Sequence, residues 1–337
     1  MSTAAPARRR WIGRIAGVLA LTAGVLVTGW AAIAVGVDGP GPFAAVLLVA
    51  LVIGVYWRVR PVRRGRIAAV LVLACTIVWW LTLAPRNDRA WQPDVARLPE
   101  MRVDGAKLEV SNVRDYAWAD ADTGTPRWVT RSYALDEVQG VDLVLSDWGT
   151  PLVVHTIVSW EFADGRHLAV SIEARKELGE EYSAWRGFFR QFELAYVVGE
   201  ERDLLGVRAR FRNEKLRLYR LALSPAMARE LLLTYVARIQ RLGEDPAWYN
   251  ALTTNCTTTI RLHAVDSGLD NPWDWRILAN GRVDEVLYER GRVQSNMPFE
   301  ELRRRSDVTA AAHDAYGSDD FSARIRVDLP ARPQPVR

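Results

Sequence analysis

The stretch His155-Thr156-Ile157-Val158-Ser159-Trp160-Glu161-Phe162-Ala163-Asp164-Gly165-Arg166-His167-Leu168-Ala169-Val170-Ser171-Ile172-Glu173-Ala174-Arg175 decides the fold class. Two runs of alternating side chains flank Ala163-Asp164-Gly165, which suits a three-residue hairpin loop with glycine in the left-handed position. Counting outward from the loop pairs Phe162 with Arg166, Trp160 with Leu168, Val158 with Val170 and Thr156 with Ile172. That register makes one face uniformly apolar, and a slip of one residue mixes Val158 with Ser171 and spoils it. The opposite face then carries His155, Ser159, Ser171 and Glu173, with His155 directly across from Glu173.

Working outward, Val103 to Trp148 reads as short strands and turns, with Asp104-Gly105 as a hairpin signal between Met101–Val103 and Leu108–Val110. A helix is predicted over 182–192 and strands over 194–198 and 216–223. Ser224-Pro225 caps a helix reaching Leu242, closed by Gly243 and Pro246. Thr254 or Asn255 caps a further helix to Ser267, with Gly268 as its stop. Beyond Asn271 the pattern is weak, and Ala331 to Arg337 reads as disordered.

The first 84 residues differ from the rest. They hold nine arginines and one acid, Asp38, so the net charge of +4 rests on them, and 35 basic against 39 acidic residues follow. Such a balance gives no basic face for nucleic acid. Three apolar runs, Trp11–Val37, Phe43–Trp57 and Ile67–Leu83, are read as three transmembrane helices, the second marginal in length. A cleaved signal peptide would account for the first run alone. Arginines precede the first run and separate the second from the third, while Asp38-Gly39-Pro40-Gly41-Pro42 has no basic residue. The positive-inside rule then puts everything after Leu83 outside the cytoplasm. The organisation expected is a membrane anchor over 1–84, a linker over 85–100, an α+β thiol domain over 101–290 and a partly irregular extension over 291–337.

Cys75 lies in the third apolar run, which leaves Cys256 as the one cysteine of the exported part. A thiol in the first turn of a helix meets free N–H groups and the positive end of the dipole, both of which favour the thiolate. Those N–H groups can also meet an oxyanion. Of the four histidines, His263 is about 10 Å further along the same helix, His167 adjoins the hairpin loop as a solvated turn residue, and His313 lies in the weakly patterned tail. His155 remains as base, with Glu173 as orienting acid. Asn255, Thr257, Tyr249 and Ser171 are the candidates for substrate or oxyanion support. The structural alternatives are a buried core thiol, a hydrogen-bonded core histidine and a Glu173–arginine ion pair. The few metal-capable side chains lack zinc-like spacing, and neither a metal nor a cofactor is expected.

Asp88-Arg89-Ala90-Trp91, Asn112-Val113-Arg114-Asp115, His155-Thr156-Ile157-Val158-Ser159, Ser171-Ile172-Glu173-Ala174-Arg175, Glu201-Arg202-Asp203, and Tyr249-Asn250 with Asn255-Cys256-Thr257-Thr258 resemble, in this order, the Lnb N-terminal periplasmic domain family. The likeness runs from about Arg86 to Gly268. It implies a circularly permuted papain-like (NlpC-like) fold, in which the histidine strand precedes the cysteine helix as in lecithin retinol acyltransferase. It also implies a periplasmic thiol domain connected with N-acylation of lipoproteins. On that matching Cys256 is the nucleophile, His155 the base and Glu173 the third member. The function expected is a membrane-anchored cysteine acyltransferase at the outer face of the inner membrane, with membrane lipid or lipoprotein as partner. The rivals are a cysteine peptidase or amidase of cell-wall peptides and a non-catalytic envelope assembly module.

Overall fold

The structure, a computed structural model, describes residues 4–58, 62–150, 152–294 and 296–335. Val59, Arg60 and Pro61 of the arginine loop, Pro151 before the hairpin, and Val336 and Arg337 of the tail lie outside the described residues. The chain divides into two compact units, one of Met1–Pro85 with Trp185–Gln191, the other of Arg86–Ala184 with Phe192–Arg337.

The first unit contains three apolar helices, α1 (Ala4–Asp38), α2 (Pro42–Arg58) and α3 (Val62–Thr82). They pack through Ala31, Val52, Ala69 and Leu73, small and branched side chains that let helices approach closely. Two of them, not three, are long and apolar enough to cross a membrane, over Arg14–Asp38 and Arg63–Thr82. The 17 residues of α2 rise about 26 Å at 1.5 Å each, short of a hydrocarbon core of about 30 Å. Only 11% of each long apolar window is buried, whereas the core helix of a soluble protein is mostly buried.

The second unit is built on one eight-stranded sheet. Its strands are β1 (Glu100–Asp104), β2 (Lys107–Arg114), β5 (Trp128–Ala134), β6 (Val138–Asp147), β7 (His155–Phe162), β8 (His167–Arg175), β9 (Glu193–Gly199) and β10 (Lys215–Arg220). The two-residue strands β3 (Ala117–Trp118) and β4 (Gly124–Thr125) form a separate hairpin. The spatial order is β1-β2-β9-β8-β7-β6-β10, with β5 pairing β2 as a branch. All pairs are antiparallel except β2 with β9. The register shift between β2 and β5 falls at Val110/Val113, where Asn112 adopts φ 58°, as a bulge requires.

The β7–β8 hairpin has the expected register: Val158 faces Val170, Trp160 faces Leu168, and the Phe162 N–H donates to Arg166 O at 3.0 Å. Gly165 sits at φ +81°, the left-handed position of the loop. The predicted polar face, however, is not solvent-facing. Val158, Trp160 and Phe162 belong to one core, in which α6 (Pro225–Glu244) covers the sheet, and Trp160 Nε1 donates to Ala228 O at 2.9 Å. Ile157 and Ala169 on the other face join a second core with Val144, Leu205, Leu218, Ala312, Phe321 and Ile325. Helices α4 (Glu201–Leu204), α5 (Gly206–Arg210), α10 (Thr309–Ala315) and α11 (Phe321–Arg324) supply that cover. A sheet buried on both sides must pair any charge it carries inward. Ser159 accordingly donates to Glu201, and Glu201 and Asp142 hold Arg326.

Charge pairs also explain several motifs. Arg114 binds Asp203 through two hydrogen bonds of 2.9 Å, and Arg202 binds Asp115 at 2.9 and 3.0 Å. These bidentate pairs tie the end of β2 to α4.

Three local expectations change. The helix over 182–192 is absent apart from a single turn at Arg186–Phe188. Helix α6 continues through Gly243 to Glu244, since Gly243 has open space around it and the chain needs no left-handed turn there. The start of the tail is held at one residue, where Arg332 donates to Val141 O, Asp142 and Glu161. Two further helices, α8 (Val283–Glu289) and α9 (Phe299–Arg305), follow the cysteine helix α7 (Cys256–Asp266) along the chain and add Val283 and Leu302 to the first core.

Trp160 is wholly buried, with its ring edge-on to Tyr235 at 4.9 Å. Trp160→Ala should therefore destabilise the sheet unit by about 3–5 kcal/mol, while exposed Leu252→Ala changes stability by less than about 0.5 kcal/mol. Thermal unfolding of the full chain in detergent, scored by near-UV circular dichroism, checks both.

Candidate active site

The start of α7 is built by its cap. Asn255 Oδ1 accepts from Thr258 N at 2.9 Å, and Asn255 N donates back to Thr258 Oγ1 at 3.0 Å, a reciprocal capping box. Cys256 is thus the first helical residue, a free thiol only 7% exposed. Asn255 Nδ2 donates to Ala251 O at 2.7 Å, so this side chain is occupied in shaping the turn.

His155 opens β7 and pairs with Ser146 of β6. The β7–β8 pairs begin at Ile157 with Ser171, which leaves His155 and Glu173 two residues beyond them in the expected register. Their side chains meet there: His155 Nε2 lies 3.3 Å from Glu173 Oε1 and 2.6 Å from Ser171 Oγ. Ser171 Oγ donates to Glu173 Oε1 at 2.6 Å, so His155 Nε2 carries the proton it donates to Ser171. His155 and Cys256 stand near enough that each shifts the ionisation of the other. Imidazole and carboxylate are therefore joined directly and through Ser171, with the Cys256 thiol as their neighbour.

Sequence reasoning missed what lies behind Glu173. Arg208 of α5 donates to Glu173 Oε1 at 3.2 Å and to Glu214 Oε2 at 3.0 Å, and Ser146 donates to the same Glu214 oxygen. Arg208 and Glu214 are both buried. In the sequence Arg208 is one of several arginines in a helical run, and nothing marks it out. Asn280 was missed too. Its side chain accepts from Val154 N at 2.8 Å and donates to Val154 O at 2.7 Å, as a strand partner would, and it donates as well to Thr257 Oγ1. It thereby ties the residue before His155 to the residue after Cys256. Only the turn-like Ala279-Asn280-Gly281 could have hinted at it.

The remaining candidates are placed as follows. Thr257 Oγ1 lies 3.3 Å from Thr156 Oγ1, and Tyr249 is buried with its hydroxyl 3.3 Å from that of Tyr182. His263 is buried against Tyr196, its Nε2 2.6 Å from the hydroxyl; burial, then the charge of Arg238, pushes it down to about 4. His167, expected to be solvated, is buried, because the second face of the sheet is covered. His313 is exposed beside Asp314. Among the described residues no group of three His, Cys, Asp or Glu side chains could hold a metal ion. A cleft of about 410 Å³ at the end of β6, lined by Asp147, Trp148, Gly149, Thr150, Asn213 and Lys215, includes none of Cys256, His155 and Glu173.

The electrostatics follow from this arrangement. Burial pushes the Cys256 thiol up, but the hydrogen bond and charge of His155, helped by Thr156, outweigh it and bring it down to about 7. Burial works against a charged His155, yet the Glu173 carboxylate prevails over that and over the Arg208 charge, raising the imidazole to about 9. Glu173 is itself held well below the usual carboxylate range, because His155 and Arg208 overcome the effect of burial. A lowered thiol beside a raised imidazole is a thiolate–imidazolium pair, the nucleophilic state of a cysteine.

Asn280→Ala removes three hydrogen bonds and leaves the Val154 N–H unpaired, which should cost about 1–3 kcal/mol. It should also slow alkylation of Cys256 by iodoacetamide at pH 7.5, because sulfur and imidazole are no longer held in register. Unchanged alkylation in a destabilised variant would mean that Asn280 serves folding only.

No curated protein and no solved structure matches this chain. Residues 124–281, which contain His155, Ser171, Glu173, Cys256 and Asn280, match the model of the Lnb N-terminal periplasmic domain family.

Proposed function

We propose that the chain is a membrane-anchored, extracytoplasmic cysteine acyltransferase acting on lipid or lipoprotein, with Cys256 as nucleophile, His155 as acid and base, and Glu173 as the group that orients and charges His155. The family is a periplasmic domain, and two helices are long and apolar enough to cross a bilayer. Together they point to a membrane-associated protein with its sheet unit outside the cytoplasm. In our reading the N-terminus and the arginine loop are cytoplasmic and the helices are a multi-pass anchor.

The observation that supports the chemistry is the pairing of His155 with Glu173, directly and through Ser171, beside a Cys256 thiol that His155 lowers. Because Nε2 is committed to Ser171 and Glu173, Nδ1 is the ring atom left for sulfur. The thiolate attacks an ester carbonyl carbon, and the electron pair moves to oxygen. The backbone N–H groups of Cys256 and Thr257, at the start of α7, are the candidate donors to that oxyanion. Collapse breaks the C–O bond, imidazolium gives its proton to the departing alkoxide, and a thioester on Cys256 remains. An acceptor amine then attacks the thioester, neutral His155 takes its proton, and the C–S bond breaks to restore the thiolate. Lipid as donor is supported by exposed apolar side chains in each loop that leads to or from a site residue: Leu152 and Val153 before His155, Leu178 after Glu173, and Leu252 before Cys256.

Incubating the purified full chain with phospholipid should place a fatty-acyl mass on the Cys256 peptide, absent from Cys256→Ala; turnover without any such adduct would sink the acyltransferase reading. Peptide release from muropeptides in place of the adduct would make water the acceptor instead.

The pH dependence has a definite sign. The rate of thioester formation should rise as Cys256 ionises near 7 and fall as His155 loses its proton near 9. Glu173→Gln removes the charge that raises His155, so the upper limb should move to lower pH and Cys256 should require higher pH to ionise. For stability, the His155 contribution is complete below its unfolded value of about 6.5 and is lost as pH rises through about 9. The Glu173 contribution is present above its unfolded value and is lost in acid. Alkylation rates of Cys256 from pH 5 to 10 in the two proteins read the thiol limb, and rates of fatty-acyl adduct formation over the same range read the upper limb.

A further inference from the structure

The segment Trp185–Gln191, between β8 and β9, groups with the apolar helices. Arg190 makes the attachment. Asp38, the one acid before residue 84, is the last residue of α1, at the negative end of the helix dipole, where a carboxylate needs partners. Trp80 Nε1 donates to it at 2.6 Å, and the Arg190 backbone N–H reaches its two oxygens at 3.1 and 3.2 Å. The Arg190 guanidinium donates to Leu81 O at 3.2 Å and Leu83 O at 2.6 Å, carbonyls at the end of α3 that lack helical partners. The same guanidinium stacks 4.2 Å from the centre of the Trp80 ring. A single arginine thus staples this segment to the C-terminal ends of α1 and α3.

From that staple Trp185 stands 52% exposed and Phe188 46% exposed, with the Arg186 guanidinium 5.6 Å from the centre of the Trp185 ring. Two large aromatic side chains left in water on seven residues are costly. Aromatic rings with a neighbouring cation, held level with the ends of membrane-length helices, match the composition of the headgroup zone.

We propose that Trp185–Gln191 is a lipid-contacting element: Trp185 and Phe188 insert among the headgroups, Arg186 meets lipid phosphate, and the Asp38–Arg190–Trp80 staple fixes the depth of both. This rests on the membrane reading of α1 and α3 given above. The occupant of the surface is the bilayer, because the aromatic pair continues the apolar surface of the helices to which it is stapled.

The test uses the full chain in nanodiscs of phosphatidylcholine and phosphatidylglycerol doped with a phospholipid photoactivatable near its headgroup, followed by peptide mapping. Adducts are expected on 185–191 as well as on α1 and α3. Arg190→Gln should lose most of the adducts on 185–191 while helix labelling and Cys256 alkylation stay unchanged. Helix adducts without any on 185–191 would overturn the lipid contact and leave the membrane reading standing, whereas an absence of adducts on the helices would overturn the membrane reading itself. Undiminished labelling of 185–191 in Arg190→Gln would overturn the staple.

Discussion

The ion pair of Glu173 with His155 is the interaction on which the candidate site depends. Both residues face the side of the sheet that α4, α5, α10 and α11 cover, where an unpaired charge would bear a desolvation penalty of several kcal/mol. The penalty is met by alternation of sign: imidazole, carboxylate, the Arg208 guanidinium and the Glu214 carboxylate follow one another, with Ser171 and Ser146 filling remaining hydrogen-bonding positions. Each group stabilises the charged form of its neighbour. Cys256 ends this series, and its thiol is lowered because the influence of His155, helped by Thr156, outweighs the opposing effect of burial.

Convergence of sulfur and imidazole is achieved by ends of elements, not by their middles. His155 begins β7, Glu173 closes β8 but for two residues, and Cys256 begins α7. Side chains at such positions project from a rigid frame while backbone groups there remain free for other work. The Asn280 amide occupies Val154 as a strand neighbour would and reaches Thr257 with the same group. One side chain from a later segment thereby couples the histidine strand to the cysteine helix.

The motifs that carry the resemblance divide into two kinds. Arg114, Asp115, Arg202 and Asp203 form bidentate pairs between β2 and α4, and Glu201 joins Ser159 to Arg326. These hold the sheet to its cover and account for charged motifs far from any nucleophile. His155, Ser171, Glu173 and Cys256 form the other kind, linked to one another and to no bidentate structural pair.

What could be read from the sequence was local. Period-two alternation around Gly165 specified the β7–β8 register, Ser224 and Asn255 marked helix starts, and the apolar runs marked helices, because each signal lies within the residues it organises. A pairing across the hairpin likewise brought His155 to Glu173, since register is arithmetic once the turn is known. Tertiary structure decided everything that needs a distant neighbour. The polar face of the hairpin is buried because residues 201–210 and 309–325 cover it. The run 182–192 loses its helix because Arg190 bonds to Asp38 and to the end of α3 instead. The weight of Arg208 and Asn280 comes wholly from partners up to 126 positions away, and no periodicity encodes a contact between segments whose spacing along the chain is arbitrary.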